Sequence, residues 1–350
     1  MGLISVVGPP GSGKTAWLMN DIQEKLRGGV RPHEIAAVTF TRAAASEIRR
    51  RLIQRFPEYR NEDFQWVGTV HSICSRLLQL KPVNIFVDSL LREFCARYPA
   101  YTFSPDPVHE EESDLGEIEV HEAMLRTPAD WFEHFDSRRR NARISFDMQL
   151  KYFSENSHGL PLEWSVEMQE QYSDRKAAFL QEKQCFDFNG LLETVLLQRR
   201  CPPVHYIYCD EAQDNSPLVW AVLKMWAHES GCLDFTCLMD PDQCIYDPFL
   251  PADQPQTMDF IDRSQKFQLI QSYRLPRRVH EISEAWIRQN KRRMDRPFLP
   301  RDQDGLARGF RLREELDWDD LAFHPEGYEG SRWKAFVLSR TRWQATLMKQ

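Results

Sequence analysis

Gly8-Pro9-Pro10-Gly11-Ser12-Gly13-Lys14-Thr15 fits the pattern G-x-x-x-x-G-K-[ST], and each part has a chemical reason. Glycines let successive backbone N–H groups curl around phosphate oxygens, and a helix starting near Gly13 aims its positive end at them. Lys14 is placed to reach the β and γ phosphates, and the Thr15 hydroxyl to ligate Mg²⁺. A nucleoside triphosphate with Mg²⁺ is the expected ligand. A second pair of acids, Asp210 and Glu211, follows an apolar run and can complete the site. Asp210 would hold the Mg²⁺ shell, and Glu211 would polarise an attacking water. Alone, Asp-Glu after a strand reads equally as a solvated loop; the phosphate loop decides between the two.

These groups need strands behind them and helices after them. Leu3-Ile4-Ser5-Val6-Val7 is a short apolar run of the kind that forms a buried parallel strand, and Ala16 to Leu26 has the pattern of the following helix. His205 to Cys209 and Phe235 to Met239 read as two more buried strands. The expected class is therefore α/β: a P-loop NTPase built on a parallel sheet.

The 350 residues suggest two or three domains. With 42% hydrophobic and 28% charged residues the chain should fold rather than stay disordered. Its net charge of -7 means that any grip on nucleic acid must come from local basic patches. Three such groups stand out. Arg42, Arg49, Arg50, Arg51 and Arg55 fall on one predicted helix; Arg138, Arg139, Arg140 and Arg143 form a second group; Arg288, Lys291, Arg292, Arg293 and Arg296 form a third. The last two read either as nucleic-acid-facing patches or as solvated charged faces. An acidic stretch from Asp106 to Glu122 offsets them. Eight scattered cysteines with no C-x-x-C pair imply reduced, mostly buried thiols. Met1 to Gly13 carries no basic n-region or cleavage site, and no run of ~18 apolar residues occurs, so a soluble, cytoplasmic protein with no membrane partner is expected.

With Asp210-Glu211-Ala212-Gln213-Asp214 the chain resembles the superfamily 1 helicases of the UvrD/Rep type, and other segments fall in that family's order. Ala37 to Ile48, containing Thr39-Phe40-Thr41-Arg42, is similar to motif Ia. Gly68-Thr69-Val70-His71-Ser72 is similar to the T-x-H-S motif, and Phe186 to Leu192 to the D-F-x-x-L-L segment. Met239 to Tyr246 is similar to motif III, and Gln271-Ser272-Tyr273-Arg274 to motif IV. Six ordered matches are far more specific than any one of them.

The resemblance implies a RecA-like first domain made of residues 1–80 plus 185–273 (1A). It also implies a mostly helical insertion over 81–184 (1B) and the beginning of a second RecA-like domain over 274–350 (2A). It implies ATP and Mg²⁺ as cofactors, and an ATP-dependent helicase or translocase on single-stranded or partly duplex DNA, moving 3′ to 5′. Lys14, Asp210, Glu211, Gln243 and Arg274 would be catalytic, with Gln243 sensing the γ phosphate. Thr39, Phe40, Thr41, Arg42, Thr69, His71 and Tyr246 would meet DNA, Phe40 and Tyr246 through base stacking.

Three features depart from the family. Its adenine-recognition motif lies upstream of the first strand, where this chain begins; Pro248 stands where an aromatic follows Tyr246; and motifs V and VI are absent. Ala335 to Leu338, with Ser339 to Gln344, is similar to motif IVa. An arginine finger contributes about 10³ to 10⁵ in rate, so the chain is expected to be an amino-terminal portion whose full activity needs a carboxy-terminal helicase portion or partner protein. The alternatives are a nucleotide-gated single-strand binder or split-motor subunit, and a P-loop kinase with no nucleic-acid role.

Overall fold

The computed structural model describes residues 1–86, 88–101, 128–156, 165–244, 256–289 and 293–305. Tyr246, Pro248, Lys291, Arg292, the acidic stretch 106–122 and the segment 335–344 lie outside these. The chain divides into a compact unit, Met1–Gln303, and a second, Asp304–Gln350, of which residues 304 and 305 are described.

Six strands, Gly2–Val7 (β1), Ile35–Val38 (β2), Val67–Gly68 (β3), Tyr206–Cys209 (β4), Asp234–Met239 (β5) and Gln265–Gln268 (β6), form one sheet in the order β3-β2-β4-β5-β1-β6. Every pairing is parallel. Parallel neighbours cannot be joined by hairpins, so each crossover must carry the chain back along a face of the sheet, usually as a helix. Lys14–Arg27 (α1) and Arg42–Arg55 (α2) cover one face, where Leu18, Met19, Ile22, Ile48 and Leu52 meet Val6, Ala37, Tyr208 and Leu238. The other face carries Val70–Leu77 (α3), and later in the chain Phe188–Leu197, Pro217–Glu229 and Gln256–Arg263. There Ile73, Leu192, Trp220, Trp226 and Phe260 pack on Val7, Val38, Cys209, Cys237 and Met239. Burial on both faces explains why the central strands read as continuous apolar runs rather than alternating ones. The α/β parallel sheet expected from the sequence is present.

Between β3 and β4 the described residues are helical: Asp88–Arg97 (α4), Pro128–Ala142 (α5), Phe146–Asn156 (α6) and Val166–Lys183 (α7). The three helices named above after β4 or just before it are α8 (Phe188–Leu197), α9 (Pro217–Glu229) and α10 (Gln256–Arg263), and Arg277–Ile287 is α11. The α7 helix starts on a side-chain cap, the Ser165 hydroxyl accepting the Met168 N–H. A separate aromatic core of Phe94, Tyr101, Phe132, Tyr172 and Phe179 holds these helices together. Its rings meet face to face, Phe132 on Tyr172 at 5.4 Å, or edge on, Tyr101 to Tyr172 at 5.0 Å.

A buried ionic network ties these helices to α8. Arg140 on α5 pairs with Asp187 at 2.7 Å, with Glu193 at 2.7 Å and with Asp136 at 3.4 Å. Lys176 on α7 pairs with Glu133 at 2.6 Å and Asp187 at 2.8 Å. Asp187 also caps α8 by accepting the Gly190 N–H at 2.7 Å. Burial pushes the Asp187 carboxyl upward, yet Lys176 and Arg140 outweigh it and hold the group well below the usual carboxylate range. This corrects the expectation for two members of the second basic group: Arg140 and Arg139, which pairs with Asp136 at 3.1 Å, are internal ties, while Arg143 is exposed. The third group is corrected in part. Arg296 is buried against Asp240 and Asp242, and Arg288 and Arg293 both pair with Glu284. On α2, Arg50 and Arg51 share Glu47, and Arg49 donates to the Val67 carbonyl.

Asp187→Asn should cost about 3–5 kcal/mol in urea unfolding, because it leaves Arg140 and Lys176 buried with less compensating charge. A carboxylate with a depressed folded pKa contributes stability above its ordinary value near 4 and loses it as the pH falls further. The gap between wild type and variant should therefore narrow in acid.

Candidate nucleotide and nucleic-acid site

The phosphate loop leaves β1 at Val7 and turns into α1 at Lys14. Two glycines meet separate requirements. Gly13 has a φ of +88° with open space where a Cβ would stand, so only its left-handed backbone demands glycine. Gly11 has a φ of +71°, and a Cβ there would overlap the Arg274 Cβ. The helices α2, α3, α7, α8 and α9 start on side-chain caps from Thr41, Thr69, Ser165, Asp187 and Ser216. No side chain caps α1, so its first N–H groups remain for a ligand. The buried Ser12 hydroxyl has no hydrogen-bond partner, and Lys14 Nζ is parked on the Gly8 carbonyl at 3.0 Å. An orphaned hydroxyl, uncapped amides and a buried cation fit a polyphosphate.

The sheet order brings the acids to this loop. Strand β5 lies between β1 and β4, with Val7 beside Met239 and Cys209 beside Cys237. Asp210, directly after β4, lies close to Thr15 and within the field of Lys14, both of which favour its charged form. Burial first, then the negative charge of Glu211, pushes the Asp210 carboxyl up to about 6 against the pull of Lys14. Asp214 is raised in the same way, to about 7, by burial and Glu211. Crowded acids with hard oxygen donors suit a divalent cation. Among the described residues no cluster of three or more His, Cys, Asp or Glu side chains could hold a metal alone.

Glu211 adopts a left-handed backbone, φ 51°, unusual for a non-glycine residue. Its carboxylate accepts from Gln213 Nε2 at 2.9 Å. Gln213 Oε1 in turn accepts the Asp240 N–H at 3.0 Å, and Asp240 Oδ2 accepts from Gln243 Nε2 at 2.6 Å. A continuous hydrogen-bonded path thus joins Glu211 to Gln243 across the ends of β4 and β5. Sequence reading assigned roles to Glu211 and Gln243 and missed Gln213 and Asp240, although both lie inside the quoted motifs.

Arg274 reaches the loop through its backbone neighbours. The Ser272 hydroxyl donates to the Pro10 carbonyl at 2.8 Å, and the Tyr273 N–H donates to the Gly11 carbonyl at 2.9 Å. Arg274 itself is exposed beside Gly11.

A UvrD/REP helicase N-terminal domain model matches residues 2–265. The chain belongs to the UvrD/REP helicase family. Among its relatives, the ATP-dependent DNA helicase PcrA of Staphylococcus epidermidis is 26% identical over 315 residues, covering 83% of this chain and 39% of the relative. That of Staphylococcus aureus is 24% identical over 320 residues, covering 87% and 40%. The UvrD/REP chain thus spans about two-fifths of the length of the curated relatives it matches.

The segments similar to motifs Ia and T-x-H-S come together at the same edge of the sheet. Val38 lies beside Gly68, and the Thr39 N–H donates to the Gly68 carbonyl at 3.0 Å. Thr39, Phe40, Thr41 and Arg42 therefore share one corner with Thr69 and His71. Thr39 is buried and donates to the Thr41 carbonyl at 2.9 Å. The Thr41 and Thr69 hydroxyls accept the Ala44 and Ser72 N–H groups as helix caps. His71 sits edge-on to Phe188 at 5.4 Å, and burial followed by the charge of Arg42 lowers its pKa to about 4. It is neutral at neutral pH. Phe40 is half-buried and Arg42 is exposed. Tyr246 lies outside the described residues. Among those described, no helix is long and apolar enough to cross a membrane.

Gly11→Ala should cost about 1–3 kcal/mol and displace Arg274, while Gly13→Ala should cost about 1 kcal/mol, as read from urea midpoints. Asp210 binds its proton more tightly folded than unfolded, so its contribution to stability falls as the pH rises from about 4 to about 6, by at most about 3 kcal/mol. Asp210→Asn should flatten that part of a melting-temperature profile recorded without nucleotide or metal.

Proposed function

We propose that this chain is the ATP-binding part of a DNA helicase or translocase that moves along single-stranded DNA in the 3′ to 5′ direction. One juxtaposition supports the reading best. The phosphate loop after β1, the acids after β4 and the glutamine after β5 emerge at the same sheet edge as the Thr39 to Arg42 and Thr69 to His71 corner after β2 and β3. The names of the PcrA relatives, which are ATP-dependent DNA helicases, point the same way.

In this reading Gly8 to Thr15 cradle the triphosphate and Lys14 neutralises its β and γ oxygens. Thr15 and Asp210 hold Mg²⁺, which supplies further charge neutralisation on those phosphates. Glu211, oriented by Gln213, takes up the proton of the attacking water. Gln243 senses the γ phosphate, and Arg274 stabilises negative charge that develops during transfer. Phe40 offers a flat face to unstacked bases, and Arg42 meets the backbone. Residues 1–80 with 185–273 form the first RecA-like domain, 81–184 the helical insertion, and 274–350 the opening of a second RecA-like domain.

Hydrolysis of ATP should rise with single-stranded DNA, and Lys14→Ala should lower it by about 10² to 10³. Phe40→Ala should weaken single-strand binding by about 1–3 kcal/mol without changing its dependence on salt, since it removes stacking and no charge. A rate indifferent to DNA in the protein with its carboxy-terminal portion supplied would overturn the motor reading. Nucleotide-dependent DNA binding without hydrolysis would favour the binding-subunit alternative.

A further inference from the structure

Arg296 stands outside every motif quoted above, in the segment after α11, yet its side chain is among the most deeply buried charges of the molecule, 3% exposed. Its guanidinium Nη2 pairs with Asp240 Oδ1 and lies 3.4 Å from Asp242 Oδ2. Asp240 is itself 1% exposed at the side chain. Its Oδ1 also accepts the Asp242 N–H at 3.1 Å, and its Oδ2 accepts from Gln243 Nε2 at 2.6 Å. One buried carboxylate is thus divided between a fixed arginine on one oxygen and a glutamine on the other.

We infer that Arg296 is a positioning residue that sets how readily Gln243 leaves Asp240 for a nucleotide's terminal phosphate. The inference rests on the reading of Gln243 as γ-phosphate sensor and adds the group that controls it. The physical reason is charge compensation. For Gln243 to turn toward a phosphate, Asp240 must give up a short hydrogen bond while remaining buried and ionised, which is unfavourable unless another donor neutralises it. Arg296 is that donor: its Nη2 alone faces both Asp240 and Asp242, and a guanidinium keeps its charge when buried. Without it, Asp240 retains Gln243 and the site responds less to the γ phosphate. Because Arg296 lies beyond α11, the segment 293–303 is thereby linked to the sensing loop.

The test is calorimetric binding of ADP and of a non-hydrolysable ATP analogue, each with Mg²⁺, to the full 350-residue chain. Arg296→Met, which removes the compensating charge, should reduce the preference for the analogue over ADP about fivefold or more, with ADP affinity held within twofold. Gln243→Ala should reduce it similarly, and the two substitutions together should go no further than one. The charge-free pair Asp240→Asn/Arg296→Met should restore the preference, because the buried Asp240 carboxylate no longer holds Gln243; it also carries the test if Arg296→Met melts early. Equal weakening of both nucleotides, additive effects with Gln243→Ala, or no recovery in the charge-free pair overturns the proposal. Failure of the underlying reading shows differently: the wild-type chain would bind neither nucleotide, or Lys14→Ala would leave binding intact.

Discussion

Everything the site can do follows from one constraint, that all six strands run parallel. A parallel sheet sends every strand end that shares a direction to one edge, so loops that are far apart in the chain emerge side by side. Here β5 lies between β1 and β4, and that single adjacency sets Thr15 against Asp210 across nearly two hundred residues. The same edge continues through β4 to β2 and β3, where the Thr39 to His71 corner lies. The nucleotide groups and the nucleic-acid candidates are neighbours because the strands are.

Charge inside the molecule is used in two contrasting ways. In the network of Arg140, Lys176, Asp187, Glu133 and Asp136, opposite charges are close and mutually satisfied, and the Asp187 carboxyl is held well below its ordinary range once burial is outweighed. This network fastens helices together. At the end of β4 the balance is reversed: Asp210 and Asp214 both feel Lys14 as a nearby cation, yet burial and the negative charge of Glu211 push both upward. Such an excess of buried negative charge is costly by itself and suits a site completed by a divalent cation. The hydrogen-bonded path from Glu211 through Gln213 and Asp240 to Gln243 runs beside it and gives the site its internal order.

Local pattern was sufficient for much of this. The strands at Leu3 to Val7, His205 to Cys209 and Phe235 to Met239 were legible because strands buried on both faces are apolar throughout, and the phosphate loop because its glycines, lysine and hydroxyl occupy fixed offsets. The arginine groups were not legible. A run of arginines on a helix reads the same whether it faces water or a buried carboxylate, and two of Arg140's three partners lie 47 and 53 residues away. Nor was the double duty of Thr41 and Thr69, which cap helices from within segments read as DNA contacts.

By itself the sequence determined the class of fold and the family, and it singled out the phosphate-loop residues and the acids proposed to accompany them, since these depend on residue types at short, fixed spacing. Only the tertiary structure decided which charges are ties and which are tools. Arg296 is the clearest case: nothing near it in the chain distinguishes it from its basic neighbours, and its function depends on meeting Asp240, 56 positions away, in a place that water does not reach. Burial and partnership are properties of packing, and packing joins residues by distance in space, which a linear pattern does not contain.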